Sequence, residues 1–71
     1  MPNNESEAAM RQTRILEHAA AIFGSREKAL RWLAKPKPRF GGRIPLQMLA
    51  DEADSHDVED LLGQIEFGMF A

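Results

Sequence analysis

Apolar residues recur every three or four positions in two parts of the chain, and this spacing most limits the possible fold. In chain order they are Ile15, Ala19, Ile22 and Phe23, followed by Val58, Leu61, Leu62 and Ile65. Residues three and four apart lie on one face of an α-helix. The sequence lacks the alternation of apolar and polar residues that is typical of half-buried strands. It therefore predicts an all-α fold, a small bundle of about four helices.

Residues that favour turns separate the first helices. Gly24 is suited to end the first helix, and Ser25 is suited to cap the second. The second helix is expected to end before Pro36, because a residue that precedes proline disfavours the helical conformation. The stretch KPKPRFGGRIP, residues 35–45, contains three prolines and two glycines. It is predicted to be a loop.

The second half of the chain is predicted to hold two further helices. Pro45 suits the first position of a short third helix, which carries apolar residues as far as Ala53. The stretch DEADSHD, residues 51–57, is predicted to break that helix. Ser55 is then the expected N-cap of the fourth helix, since its hydroxyl can accept from a free backbone N–H. The fourth helix is expected to stop near Gly68.

The length and the absence of cysteine limit what can stabilise the fold. With 71 residues and no cysteine, the chain can form neither disulfides nor thiolate metal sites. A core of this size is small and often depends on a partner. Residues 1–7 are predicted to be a flexible N-terminal segment, and residues 8–71 one helical domain. The sequence has no signal-peptide pattern and no membrane-length apolar run, which predicts a cytoplasmic protein without a membrane partner.

Charge is divided unevenly along the chain, whose net charge is −2. The loop is basic, and its Arg39 and Arg43 are candidate contacts for an acidic partner. A solvated connection between helices is the simpler alternative. After Arg43 the sequence contains no lysine or arginine, and its charged residues are all acidic, with His56 counted as neutral. The third and fourth predicted helices have the rhythm of a helix-turn-helix, but an acidic recognition helix would be repelled by DNA phosphates, so direct DNA binding is not expected.

Catalytic and metal-binding patterns are missing from the sequence. His18 is expected to be a surface or half-buried histidine, and His56 is expected at a helix start. Ser55, His56 and Asp57 are neighbours in sequence, whereas the members of a catalytic triad come from separate segments. The nearby carboxylates do not have the spacing of a calcium loop. The sequence predicts a binding protein rather than an enzyme, with no metal or cofactor.

The chain ends on apolar residues, FGMFA, residues 67–71. Chain ends usually carry polar residues when nothing holds them. Phe67, Met69 and Phe70 could close the end of the small core or fill a pocket in another molecule. Aromatic residues and methionine are favoured at the cores of protein interfaces, so both interpretations stay open.

Residues 19–71 resemble the toxin-binding domain of Xre/MbcA/ParS-type antitoxins. The marks that carry the resemblance are, in order, AIFG at 21–24, Ala29, Trp32-Leu33, residues 36–42, Pro45-Leu46 with Leu49, Val58, Leu62, Ile65-Glu66, and Phe67-Gly68. Many members carry a DNA-binding helix-turn-helix domain before this one. The residues before the match are too few for such a domain, so a naturally minimal form and a shortened chain both stay open.

The resemblance implies a partner and a site. Members pair with RES-domain toxins, which consume NAD or use it to ADP-ribosylate a target, and the antitoxin's C-terminal part covers the toxin's active-site cleft. The toxin-binding residues implied here are Gln64, Phe67, Gly68, Met69, Phe70 and Ala71. We expect the Ala71 carboxylate to pair with a cationic group in the cleft.

Two further roles remain open beside toxin binding. The first helix is a candidate for self-association into a homodimer within a toxin–antitoxin complex. The alternative function is a DNA-associated regulatory or dimerisation module.

Overall fold

This computed structural model describes residues 4–68, with side chains from residue 7 onward. In this range the chain forms four α-helices and one short 3-10 helix. The helices are α1 (Asn4–Phe23), α2 (Arg26–Leu33), α3 (Pro45–Met48) and α4 (Glu52–Glu66), and the 3-10 helix is Pro38–Phe40. No strand occurs in this range, so the predicted all-α bundle of about four helices is confirmed. None of the helices in the described range has the length and apolarity required to cross a membrane.

The boundary between α1 and α2 lies where the sequence predicts it. Gly24 adopts a φ of +101°, which glycine tolerates and other residues rarely adopt. The Ser25 hydroxyl then accepts from the backbone N–H of Lys28 at 3.1 Å, as an N-cap does. At its other end α1 begins at Asn4, so the helix reaches into the segment 1–7 that the sequence predicts as flexible.

The boundary between α3 and α4 differs from the prediction. α3 ends at Met48 after a single turn, and α4 begins at Glu52 and includes Ala53. Asp51 is the N-cap: its carboxylate accepts from the backbone N–H groups of Ala53 at 2.8 Å and Asp54 at 3.2 Å. The predicted break at 51–57 is therefore wrong, because aspartate caps a helix as well as serine does.

Ser55, the predicted cap, lies inside α4 and is only 2% exposed. Its hydroxyl donates to the Glu52 carbonyl oxygen at 2.7 Å, so the buried polar group is satisfied within the helix. His56 follows it on the exposed side of α4, in the second turn rather than at the helix start. The position of Ser55 among buried residues comes from tertiary packing, which the local pattern does not reveal.

The core is formed by apolar side chains from every helix and from the α2–α3 connection. Its buried members are Ile15, Ala19, Ala29, Leu33, Phe40, Met48, Leu49, Val58 and Leu62. α1 packs on both α2 and α4, and α3 packs on α4. This arrangement places α1 in the middle of the bundle, where it can position groups on both of its neighbours.

The α2–α3 connection is a closed turn rather than an open loop. The Lys37 backbone N–H donates to the Arg43 carbonyl oxygen at 3.1 Å, and the Gly42 N–H donates to the Lys37 carbonyl oxygen at 2.9 Å. Gly41 and Gly42 both have positive φ, +68° and +87°. The turn buries Phe40 against the core, so the basic connection has a fixed position on the bundle.

α1 and α4 run parallel along their shared face. Arg14 Nε lies 3.7 Å from Glu59 Oε1, and His18 Nε2 lies 2.8 Å from Glu66 Oε1. The later residue of α1 thus pairs with the later residue of α4. The C-terminal ends of the two helices consequently lie at the same end of the molecule.

Candidate functional site

The C-terminal end of α4 is closed by backbone hydrogen bonds. Phe67 is the C-cap, and its N–H donates to the Gly63 carbonyl oxygen at 3.0 Å. The Gly68 N–H donates to the Ile65 carbonyl oxygen at 3.1 Å, and Gly68 has a φ of +70°. A left-handed glycine after the last helical residue is a common helix terminator. The chain therefore leaves the bundle from a defined point.

Phe67 projects away from the core. Its side chain is 77% exposed, more than the other exposed large apolar residues of the described chain, Met10, Leu30 and Leu46. This exposure disagrees with the interpretation in which Phe67 closes the end of the core. Transfer of a phenylalanine side chain from water into a partner's pocket contributes about 1.5–3 kcal/mol. Phe67 is therefore an exposed apolar group at the end of α4.

The structure brings together three of the residues that the sequence analysis selects for toxin binding. Gln64 is half-buried on the last turn of α4, and Phe67 and Gly68 follow it with both residues exposed. The other three selected residues, Met69, Phe70 and Ala71, lie outside the described residues. The described part of the site is thus the last turn of α4 and its cap.

His18 belongs to the same end of the molecule, and sequence analysis did not select it. It is half-buried, as expected, but its Nε2 lies 2.8 Å from a carboxylate oxygen of Glu66, the last residue of α4. The two residues are 48 positions apart in the chain. No local pattern could have indicated this contact, because it depends on the parallel packing of α1 and α4.

The two arginines of the basic connection have different surroundings. Arg43 Nη1 donates to Asp54 Oδ2 at 3.1 Å, and Arg43 Nε donates to the Phe40 carbonyl oxygen at 3.3 Å. Arg39 is exposed at the rim of a shallow depression that Arg43 also lines. Arg43 is thus used to hold the connection against α4, while Arg39 faces outward.

Acidic residues of α4 lie beside these arginines. Asp57 and Asp60 line the depression together with Phe40, Arg39 and Arg43. The fold therefore sets the basic connection against the acidic outer face of α4. Opposite charges that are far apart in the sequence partly offset each other here, so this face is less basic than the sequence stretch alone suggests.

An aromatic cluster also contacts the basic connection, through Lys37. The ring centroids of Phe23 and Trp32 are 5.5 Å apart, and Lys37 Nζ lies 4.3 Å from the Trp32 ring centroid. A cation over an aromatic face is attracted by the ring. Burial, and then the neighbouring charge of Lys35, lower the pKa of Lys37 below its ordinary value. This cluster is a structural support and a spectroscopic reporter rather than a reactive site.

Metal-ligating side chains do not gather anywhere in the part of the chain that the structure describes. No group of three or more histidine or carboxylate side chains lies close enough to hold an ion there.

Comparison with known proteins gives the family. Residues 18–68 match the family described as the antitoxin Xre/MbcA/ParS C-terminal toxin-binding domain. The chain belongs to this family. The resemblance predicted from the sequence is thereby confirmed, and so is the prediction of a binding protein rather than an enzyme, because this family is one of toxin-binding domains.

Curated relatives of this toxin-binding domain carry the name Antitoxin Xre. The chain is 45% identical to one from Pseudomonas putida over 65 residues, which are 92% of the chain and 41% of the relative. It is 36% identical to one from Photorhabdus laumondii (93% and 45% covered) and 35% identical to one from Yersinia enterocolitica (94% and 46% covered). The chain thus spans less than half the length of these relatives. No solved structure matches it.

Proposed function

We propose that this chain is the toxin-binding part of an antitoxin in a type II toxin–antitoxin system, acting in the cytoplasm on a RES-domain toxin. The toxin would consume NAD or use it for ADP-ribosylation. The observation that carries the proposal is the exposed Phe67 at the end of α4, in a chain that belongs to a toxin-binding family. Inhibition would follow from covering the toxin's active-site cleft with the C-terminal segment.

The chemistry of the C-terminal segment is suited to such a cleft. An NAD site offers cationic donors for phosphates beside apolar walls for the rings. Phe67 supplies an apolar ring at the point where the chain leaves α4, with Gln64 as a hydrogen-bonding neighbour. Met69, Phe70 and Ala71 continue the same segment in sequence.

Arg39 is the better of the two candidate arginines for a second contact with the toxin. Its side chain is exposed, whereas Arg43 is already hydrogen-bonded to Asp54 and to the Phe40 carbonyl. A contact at Arg39 would be at the rim of the interface, where charges mainly affect the association rate.

The acidic surface of α4 disfavours the alternative of a DNA-associated module. α3 is a single turn, and α4, which would be the recognition helix, begins with Glu52 and Asp54 in its first turn. These charges would oppose the phosphates that a recognition helix must approach. We therefore infer that α3 and α4 support the C-terminal segment rather than bind DNA.

Co-expression of this chain with a RES-domain protein from an adjacent gene tests the proposal. The full chain should bind that protein and preserve cellular NAD. A form that ends at Phe67 should still bind but protect NAD less, and polar residues added after Ala71 should weaken inhibition. Failure of the full chain to bind would contradict the proposed function.

A pair of single substitutions tests the part played by Phe67. Phe67→Ala should weaken binding about 10- to 100-fold, as truncation of an aromatic anchor at an interface does. Met10→Ala is the matched control, because Met10 is also a large exposed apolar residue, 65% accessible, but lies in the N-terminal half of α1. Equal effects of the two substitutions would show that Phe67 is not a specific anchor.

A further inference from the structure

The last turn of α4 is weak by its own sequence. Gly63 lies within the helix, where glycine costs about 1 kcal/mol relative to alanine. Glu66 places a negative charge at the C-terminal end, where the helix dipole is also negative. No basic residue occupies this last turn. A helix end of this composition is expected to fray unless another part of the protein holds it.

His18 supplies the missing donor from α1. Its Nε2 lies 2.8 Å from Glu66 Oε1, and both side chains are partly exposed. The backbone around His18 is fixed, because Ile15 and Ala19 on either side of it are fully buried in the core. The contact therefore joins this weak last turn of α4 to a rigid part of α1.

The other charged groups of α1 near His18 have partners elsewhere. Arg14, one turn earlier, pairs with Glu59 of α4 at 3.7 Å, and Glu17 pairs with Arg26 at 3.1 Å. The contact between His18 and Glu66 is the one that reaches the last residue of α4. It is followed directly by Phe67.

We propose that His18 is a positioning residue for the partner-binding end: through Glu66 it holds the last turn of α4 and so fixes the direction in which Phe67 and Gly68 leave the bundle. The proposal rests on the proposed function, because it assumes that a partner is bound at this end. His18 itself need not touch the partner. Its effect is to keep the cap formed by the Phe67 and Gly68 N–H groups closed.

Amide hydrogen exchange in the free chain tests the structural part. In His18→Ala, the Phe67 and Gly68 amides should exchange about two- to fivefold faster, as expected for loss of one exposed side-chain contact. The Leu62 amide should keep its rate. Unchanged exchange at Phe67 and Gly68, or acceleration throughout the chain, would overturn the proposal.

Arg14→Ala is the matched control. It removes the ion pair between Arg14 and Glu59, which also joins α1 to α4, on the same face and two turns of α4 earlier. Exchange at Phe67 and Gly68 should remain unchanged in this variant. If Arg14→Ala accelerated it as much as His18→Ala, the specific role of His18 would be refuted.

Gly63→Ala provides a rescue. A Cβ atom built at Gly63 meets nothing within 4 Å, and Gly63 does not need a positive φ. Alanine should therefore fit and strengthen the last turn. In the His18→Ala background it should restore slow exchange at Phe67 and Gly68, which a simple loss of packing around His18 would not predict.

Affinity for the RES-domain protein encoded beside this chain tests the functional part. His18→Ala should weaken it about two- to fivefold, and Gly63→Ala should restore it. An unchanged affinity in His18→Ala would refute the functional part. If the unaltered chain itself fails to bind, the proposed function is wrong, while the exchange rates still decide whether His18 holds the end of α4.

Discussion

The guanidinium of Arg11 donates from Nε to the carbonyl oxygen of Leu49 at 3.3 Å and thereby joins α1 to the end of α3. Its Nη2 also donates to the next carbonyl oxygen, that of Ala50, at 3.3 Å. α3 has a single turn, so its last carbonyl groups have few partners of their own. Arg11 supplies a charged donor to the two carbonyl groups that directly follow α3, those of Leu49 and Ala50.

Arg11→Ala is expected to lower the free energy of unfolding by about 1–2 kcal/mol, because hydrogen bonds to a charged donor are stronger than neutral ones. Urea unfolding followed by Trp32 fluorescence measures the change. Arg14→Ala, which removes an exposed ion pair, should change it by less than about 0.5 kcal/mol. Comparable losses in the two variants would show that the carbonyl contacts of Arg11 contribute no more than a surface charge.

Asp51→Ala should lower the free energy of unfolding by about 1 kcal/mol, since it removes the acceptor for two backbone N–H groups at the start of α4. Ser55→Ala should have a smaller effect, within about 0.5 kcal/mol, because alanine offsets the lost hydroxyl contact by its higher helix propensity. Thermal unfolding by circular dichroism gives both values. The reverse order would indicate that α4 begins at Ser55 after all.

Gly41→Ala should destabilise the fold by about 1 kcal/mol, because residue 41 has a φ of +68° in the turn that buries Phe40. Gly41→Asn should cost less, since asparagine tolerates the left-handed region better than alanine does. No heavy atom lies within 4 Å of a Cβ built there, so the difference reports backbone conformation alone. Urea unfolding measures the loss of unfolding free energy in each variant, and equal losses in the two would contradict this explanation.

The fluorescence of Trp32 should change with the charge of Lys37 in alkaline solution. Trp32 is the one tryptophan of the chain, which has no tyrosine, so its emission can be followed without interference. Burial and the charge of Lys35 lower the pKa of Lys37, so the transition should fall below the ordinary lysine value near 10.5. Lys37→Met should abolish the transition, and Lys35→Met should move it to higher pH.

The same pKa shift has a defined sign in the stability of the protein. The unfolded chain keeps the Lys37 proton to higher pH than the folded chain does. Between the two pKa values the unfolded state therefore binds more protons, and the contribution of Lys37 to the free energy of unfolding rises with pH. Urea midpoints of the unaltered chain and of Lys37→Met, compared across this alkaline range, test the sign. A difference that falls with pH would contradict it.

The helices could largely be predicted from the sequence, because their signals are local. The spacing of apolar residues, Gly24 with Ser25, and Pro45 were enough to locate α1, α2 and the start of α3. The start of α4 was misplaced since Asp51 and Ser55 are both good caps. The contact of Arg11 with the end of α3 shows that tertiary interactions contribute to this boundary.

The candidate site could be predicted only in part. The apolar C-terminal residues indicated a binding segment, and the exposure of Phe67 agrees with that interpretation. The contact between His18 and Glu66 could not be predicted, because it joins residues 48 positions apart. The difference between the exposed Arg39 and the hydrogen-bonded Arg43 could not be predicted for the same reason, since Asp54, the partner of Arg43, lies on α4.

The parallel course of α1 and α4 makes α1 a rigid spacer. The start of α1 at Asn4 and the contact of His18 with Glu66 are separated by roughly 20 Å along the helix axis, at 1.5 Å per residue. Anything joined ahead of α1 is therefore held away from the end that carries Phe67.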